Sequence, residues 1–237
     1  RGSPCCVSHL HALRGFLTEC GCGRSRVIAR TGRGIIAIRG AYPPPTGGGK
    51  AYFRQVAIFG DKFLPQFERI AADIKAQGAM PIQQILHAGR YGGIDLGYCV
   101  QPSDVPQTLP HFRPPKVMTK DEIRDCVRQH AEAAKRAIRA GFEGTEVTSF
   151  MGYLLANFNS RFTNQRTDEY GGSIENRGRV MRELIDGSKQ ATPDKPLVAR
   201  GDGAGRMGRG GGATQGERGE PVHYTQRRRR SREPRER

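Results

Sequence analysis

The sequence predicts an α/β fold, and within that class a (β/α)8 TIM barrel, on three observations. Apolar β-branched runs alternate with amphipathic stretches, and successive units begin about 45–65 residues apart, which is typical of parallel strands covered by helices. Connections after the strands are long and polar, whereas those after the helices are short, as in a barrel whose active site lies at the strand ends. No GxGxxG or GxxxxGK[ST] turn follows the first strand, which disfavours a doubly wound sheet.

The first half of the pattern holds two strands and the helix between them. Residues 34–38, GIIAI, are apolar and β-branched, and they predict a buried strand. A helix is predicted from Asp61 to Gln77, with these apolar residues at helical spacing: Phe63, Phe67, Ile70 and Ile74. Met80–Leu86 is the second predicted strand, and a long Gly- and Pro-rich loop follows it.

The second half repeats the alternation. Thr119 and Glu122 predict a capping box at the start of a helix. Residues 145–148 predict the third strand, and a long polar segment leads from it to a helix over residues 174–189. Residues 196–200 predict the last strand.

The positive charge is concentrated at the two ends of the chain. The formal net charge is +16, of which residues 1–49 hold seven Arg against one acid and residues 201–237 hold ten Arg against five acids. All eight Lys lie between Lys50 and Lys195. An Arg- and Gly-rich segment without Lys cannot bury a core, so residues 201–237 are predicted to be disordered. Residues 1–33 are an atypical N-terminal segment, and RNA binding through the Arg-rich ends is the alternative function.

Cysteine usage and hydropathy indicate where the protein is located and disfavour a metal centre, although thiolate and imidazole groups near the N-terminus could in principle bind zinc. Four Cys lie in the first 22 residues, but their spacing matches no standard zinc finger or ribbon, so no metal is predicted. Cys99 and Cys126 are isolated and are predicted to be reduced, as in a cytoplasmic protein. No apolar run reaches the length of a membrane span, so no membrane partner is expected.

Two segments resemble one enzyme family. They are QILHAGRY at 84–91 and GYLLANFNSRFTNQRTDEYGGSIENR at 152–177. Both are similar to the Old Yellow Enzyme family of FMN-dependent NADH:flavin oxidoreductases, and most of all to its 2,4-dienoyl-CoA reductase and 2-enoate reductase branch. The resemblance covers about residues 34–200 and implies a barrel with FMN at the carboxyl ends of the strands. Within the second segment, Asp168–Gly172 is predicted to shape the loop and Ser173 to cap the next helix.

The resemblance implies cofactor-binding roles for four residues. Gln84 matches a strand Gln that hydrogen-bonds the flavin pyrimidine edge, because a carboxamide donates and accepts at once. Arg200 matches an Arg beside flavin N1 and O2, where a fixed cation stabilises the anionic reduced flavin. Gly40 and Ala41 match small residues that let the ring approach the backbone. The alternatives are a Gln84 that satisfies a barrel-interior backbone group and an Arg200 that is an ordinary residue at the junction with the tail.

Catalytic and substrate-binding roles are implied in the same way. Tyr153 matches a Tyr that protonates a substrate carbon after hydride transfer from flavin N5, the alternative being a Tyr that packs the loop. His87 and Arg90 are predicted to bind substrate, with flavin contact by Arg90 and loop anchoring by His87 as alternatives. Thr148 and Met151 stand where many family members carry a His-x-x-His or His-x-x-Asn pair for a simple enone. Their presence favours a thioester or carboxylate substrate.

The predicted function is therefore reduction of an activated C=C bond, in an enoate or enoyl thioester, with NADH or NADPH through bound FMN. The expected partner is a small unsaturated acid, thioester or enone, and an oligomer is left open. Residues 1–33 do not match the family's first strand, and no barrel unit is matched beyond residue 200. We therefore expect a partial FMN-binding barrel over residues 34–200, of about four to five βα units. Such a truncated chain would be poorly stable alone, and loss of activity is left open.

Overall fold

The computed structural model describes residues 34–46, 48–92, 98–106 and 113–201, with short pieces at 12–13, 16–17, 27, 29–32 and 222–224. The strands in these parts are β1 (Ala12–Leu13), β2 (Phe16–Leu17), β3 (Ile35–Ala41), β4 (Met80–Ile85), β5 (Cys99–Gln101), β6 (Pro115–Val117), β7 (Gly144–Ser149), β8 (Leu197–Gly201) and β9 (Val222–Tyr224). The helices are α1 (Leu64–Lys75), α2 (Lys120–Arg139), α3 (Leu154–Asn159), α4 (Ile174–Arg177) and α5 (Arg179–Ala191).

The main sheet has the strand order of a barrel. Its order is β3-β4-β7-β8-β9, and the first four strands are parallel and follow one another in chain order. A doubly wound sheet reverses its order at a switch point, and no reversal occurs among these four strands. Two smaller pairs lie outside this sheet, the antiparallel β1 and β2 and the parallel β5 and β6.

Strand β9 differs from the prediction of a disordered tail. Val222–Tyr224 pairs antiparallel with β8, with Gly201 opposite Val222 and Ala199 opposite Tyr224. An edge strand presents unpaired backbone N–H and C=O groups, and a segment with a β-branched and an aromatic residue suits such pairing. The rest of residues 202–237 lies outside the described residues, as do the four N-terminal Cys.

The helices follow local sequence signals, with one exception. The capping box is confirmed, since the Thr119 side chain accepts from the Glu122 N–H and the Glu122 carboxylate accepts from the Thr119 N–H. The helix predicted over residues 174–189 is instead two helices that meet at Gly178. Glycine has a poor helix propensity, which explains an interruption of the helix at this position.

Two apolar clusters lie on the helix side of the sheet. The first joins β3 and β4 to α1, and Phe67 packs edge-on against Phe142 at 6.2 Å between ring centroids. The second joins β7 to α2, α3 and α5 through Val147, Phe158 and Leu184. Within the parts of the chain that the structure describes, no helix combines the length and the apolar character that crossing a membrane requires.

Candidate active site

A row of polar side chains crosses the face of the sheet opposite the helices, which we call the inner face. Gln84 on β4 stands in register with Glu146 on β7, and Thr148 on β7 with Arg200 on β8. The Gln84 Nε2 donates to Glu146 Oε1, and Arg200 Nη1 lies 3.7 Å from the same oxygen. Glu146 is only 4% exposed. Three neighbouring strands thus meet at one buried carboxylate, which the sequence did not single out.

Gly40 on β3 is packed directly against Gln84. A Cβ at Gly40 would lie 2.8 Å from Gln84 Oε1 and 2.6 Å from Leu86 Cβ, so no larger residue fits without displacing them. The Gly40 carbonyl accepts from the buried Gln55 Nε2 at 2.8 Å. Ala41 is fully buried, and its carbonyl accepts from the Leu86 N–H at 3.0 Å. These contacts explain the small residues by packing, and their contact with a cofactor stays a prediction.

Tyr153 stands just beyond the end of β7, at the N-cap of α3. The chain reaches it through Met151 and Gly152, which have φ of 57° and 70° in the left-handed region. The Phe150 ring lies edge-on to Tyr153 at 6.3 Å and 5.3 Å from the Arg200 guanidinium carbon. Burial raises the pKa of Tyr153 above its usual value of 10.0. The phenol is therefore protonated at neutral pH and stands one aromatic ring away from Arg200.

A second phenol lies near Tyr153 and was not predicted. Tyr52 follows β3 in a loop, and Arg39, the residue before Gly40, hydrogen-bonds to its side chain. Burial raises the pKa of Tyr52, with smaller contributions from Arg39, which opposes the shift, and from Tyr153, which adds to it. Arg39 directly follows Ile38, which pairs with Gln83 of β4, and this placement could not be predicted from the sequence.

Thr148 and Met151 occupy very different environments. Thr148 is 3% exposed, and its hydroxyl has no hydrogen-bond partner among the residues described. Met151 is 63% exposed and lies at the rim of the turn. An unpaired hydroxyl in a buried position is costly unless a ligand or water completes it. Thr148 therefore remains a candidate for ligand contact, and the substrate roles of both residues stay predictions.

His87 and Arg90 point into the protein. His87 is buried, its Nδ1 accepts from the Gly89 N–H, and its ring stacks at 6.4 Å on His130 of α2. Burial lowers the pKa of His87 to about 3, and His130 adds to this shift. The Arg90 guanidinium donates to the Pro106 carbonyl at 2.8 Å, which anchors the loop before β6. Both residues have structural partners, and their predicted contact with substrate stays a prediction.

Asn157 joins the two loops that border the inner face. Its side-chain oxygen accepts from the Arg90 N–H at 3.2 Å, and its Nδ2 donates to the Gly152 carbonyl at 2.8 Å. Gly89 has φ of 59°, and a Cβ there would lie 2.6 Å from Asn157 Oδ1. The loop after β4 and the turn that carries Tyr153 are therefore held together by one buried amide.

The family-like segment at 152–177 has a structural role, because its side chains hold the loop after α3 against neighbouring parts of the chain. Arg166 pairs with Asp168 at 2.6 Å and donates to the carbonyls of Pro102 and Met118. A Cβ at Gly171 would lie 2.1 Å from the Arg166 carbonyl oxygen, so glycine is required there. The Ser173 side chain accepts from the Asn176 N–H and caps α4. The prediction that this stretch shapes a loop and caps a helix is confirmed.

Comparison with known proteins assigns the fold and the family. The family model described as NADH:flavin oxidoreductase / NADH oxidase family matches residues 25–204. An NADPH dehydrogenase from Bacillus subtilis (strain 168) is 34% identical over 200 residues, which are 84% of this chain and 57% of that enzyme. The chain spans from 26% to 57% of the length of such curated relatives.

Two solved structures extend the similarity to three dimensions. A complex of 2-naphthoyl-CoA reductase with 2-naphthoyl-CoA matches with a TM-score of 0.71 and 33% identity, over 82% of this chain and 31% of that one. Old Yellow Enzyme from Pichia sp. AKU4542 matches with a TM-score of 0.74 and 26% identity, over 81% of this chain and 53% of that one. The predicted TIM-barrel class, here as a partial barrel, is confirmed, and the chain belongs to the NADH:flavin oxidoreductase / NADH oxidase family.

Proposed function

We propose that this chain is an FMN-dependent oxidoreductase that uses NADH or NADPH to reduce an activated C=C bond. The observation that carries this proposal is the inner-face row, in which Gln84 and Arg200 converge on Glu146 with Tyr153 just beyond. Such a convergence of a carboxamide, a cation and a protonated phenol at the carboxyl ends of barrel strands is typical of a catalytic site. The family and its NADPH dehydrogenase relatives support FMN and a nicotinamide reductant.

The residues present fit FMN. Gln84 offers a carboxamide that both donates and accepts, and Arg200 offers a cation whose side chain is 38% exposed on the inner face. Thr148 adds a buried hydroxyl without a partner in the described part of the chain. We propose that Gln84 and Arg200 hold the flavin ring, with Gly40 and Ala41 beside it, and that Thr148 and Met151 face the substrate. When bound, FMN supplies hydride transfer between the nicotinamide and the substrate.

Tyr153 is the proposed proton donor. Burial raises its pKa, so its hydroxyl stays protonated at neutral pH, and a protonated phenol is a group that can deliver a proton to a substrate carbon. Asn157 fixes the turn before it through the Gly152 carbonyl. The phenol thus sits on a rigid support, which favours a productive orientation of the donor.

The proposed substrate class is an enoyl thioester or an enoate. Thr148 and Met151 supply no imidazole pair for the carbonyl of a simple enone, and only Thr148 is buried. The matching structure of 2-naphthoyl-CoA reductase holds a CoA thioester, which supports the same class here. His87 and Arg90 are buried against structural partners, so we propose that they act on this site only indirectly, by anchoring the loop after β4.

FMN titration of the purified chain tests the cofactor. We expect the protein to quench FMN fluorescence and to hold a visible flavin spectrum that bleaches with NADH or NADPH. Arg200→Met should weaken FMN binding about 10- to 100-fold, because it removes a charged partner of the ring. A chain that takes up no FMN would contradict the proposal.

Tyr153→Phe tests the proton donor. We expect FMN binding and flavin reduction by the nicotinamide to be unchanged, while turnover with an enoyl thioester falls about 10²- to 10⁴-fold. Tyr98→Phe is the matched control, because Tyr98 is exposed and lies on a different loop. Full turnover in Tyr153→Phe would show that another group, such as Tyr52, supplies the proton.

A further inference from the structure

Glu146 is a buried carboxylate that neither packs in an apolar cluster nor takes part directly in the proposed reaction. Its neighbours along the inner side of β7 are Gly144 and Thr148, and it stands between β4 and β8. A carboxyl group with so little exposure is tolerated only when its oxygens are paired. Among the described residues, the side chains of Gln84 and Arg200 contact it, and both are proposed flavin ligands.

The contact between Glu146 and Gln84 determines the orientation of the Gln84 carboxamide, that is, the positions of its NH2 group and of its oxygen. A carboxylate only accepts hydrogen bonds, so the end of Gln84 beside Glu146 is the NH2 group. The Oε1 end is then turned towards Gly40, where a Cβ would lie 2.8 Å from it. The reverse orientation would set a carbonyl oxygen against a carboxylate oxygen. Gln84 therefore presents one fixed polarity of donor and acceptor along the inner face.

The contact with Arg200 restrains a long and otherwise flexible side chain. Arg200 Nη1 lies 3.7 Å from Glu146 Oε1, and the guanidinium carbon lies 5.3 Å from the centroid of the Phe150 ring. A charge on one side and an aromatic ring on the other hold the guanidinium on the inner face. The same carboxylate oxygen therefore sets the position of both groups.

We propose that Glu146 is a positioning residue of the flavin site, which orients the Gln84 carboxamide and holds the Arg200 guanidinium through one shared oxygen. This inference rests on the proposed flavin role of those two residues. Glu146→Gln removes the negative charge that Arg200 requires. It also replaces an obligatory acceptor by an amide that can present either end to Gln84. The polarity of Gln84 would then no longer be determined.

The test is a double-mutant cycle on FMN affinity, measured by fluorescence quenching. Glu146→Gln should raise the Kd of FMN about tenfold in the wild-type background. In the Gln84→Met background the same change should have a smaller effect, because one of the two residues through which Glu146 acts is gone. The control is Glu143→Gln, since Glu143 is partly exposed and pairs with Lys75 and Lys195, away from the inner face. It should leave the Kd unchanged.

A second measurement without FMN separates this inference from the proposed function. Thermal unfolding of wild type, Glu146→Gln, Arg200→Met and the double variant should show non-additive shifts of the melting temperature. Additive shifts, or an unchanged Kd in Glu146→Gln, would overturn the positioning role. If the wild-type chain binds no FMN, the proposed function and the flavin part of this role fail together. The unfolding cycle still decides whether Glu146 holds Arg200.

Discussion

The two faces of the same four strands differ in what they carry. On the helix side, Ile36, Ile38 and Val147 are buried among apolar side chains, and on the inner face Gln84, Glu146 and Arg200 form a linked polar row. Since successive residues of a strand point to opposite faces, neighbouring positions belong to different functions. The helix side holds the two apolar clusters, and the inner face provides the proposed chemistry. Substitutions should therefore affect one property far more than the other.

The largest effect on stability is expected on the helix side. Phe67 is fully buried and packs edge-on against Phe142. Phe67→Ala should lower the free energy of unfolding by about 3–5 kcal/mol, because it removes buried surface and leaves a cavity. Urea denaturation measures this change. Phe162→Ala, at a side chain that is 61% exposed, should cost less than about 1 kcal/mol. Equal losses of unfolding free energy in the two variants would contradict the expected contribution of the buried helix-side cluster.

The pH dependence of stability is the next largest effect and also belongs to the helix side. Burial lowers the pKa of His130 to about 4 and that of His87 to about 3, from an ordinary value of 6.5. Between pH 6.5 and these lowered pKa values, the two histidines are protonated in the unfolded chain but stay neutral in the folded one. Stability is therefore fully present above pH 6.5 and is lost as the pH falls towards 4.

By pH 5, His130 alone should account for about 2 kcal/mol of this loss. His130→Gln removes that group, so its unfolding free energy should fall less steeply between pH 6.5 and 5 than that of the wild type. Comparing the two proteins at pH 8, where both histidines are neutral, gives the cost of the substitution itself. Parallel slopes in the two proteins would show that His130 is not responsible.

The smallest effect on stability is expected for a substitution at Asn157, where the two faces of the sheet meet. The same substitution should have a larger effect on activity. Asn157→Ala removes the hydrogen bonds to the Arg90 N–H and the Gly152 carbonyl. We expect a loss of about 1–2 kcal/mol in unfolding free energy. Turnover should fall more than FMN affinity, because the turn that carries Tyr153 is released. Asn176→Ala on α4 is the control, and an equal loss of turnover there would contradict this role.

Local features of the structure could be predicted from the sequence where the interacting residues are only a few positions apart. The capping box of Thr119 and Glu122 and the turn at Gly171 were readable because their partners are close in the chain. The roles of Glu146 and Asn157 were not, since each depends on a partner more than 60 residues away. The direction of His87 and Arg90 was equally hidden, because a strand end does not reveal which side its next residues face. The tail strand β9 needed the exposed edge of β8, which only the fold supplies.

The shared oxygen of Glu146 also has an evolutionary consequence. Positions 84, 146 and 200 lie far apart in the chain, yet one atom of the middle residue serves both of the others. A substitution at any one of them changes what the other two require, so these positions are expected to be replaced together or not at all. A relative without a carboxylate at position 146 would need a different group to orient the amide at position 84 and the cation at position 200.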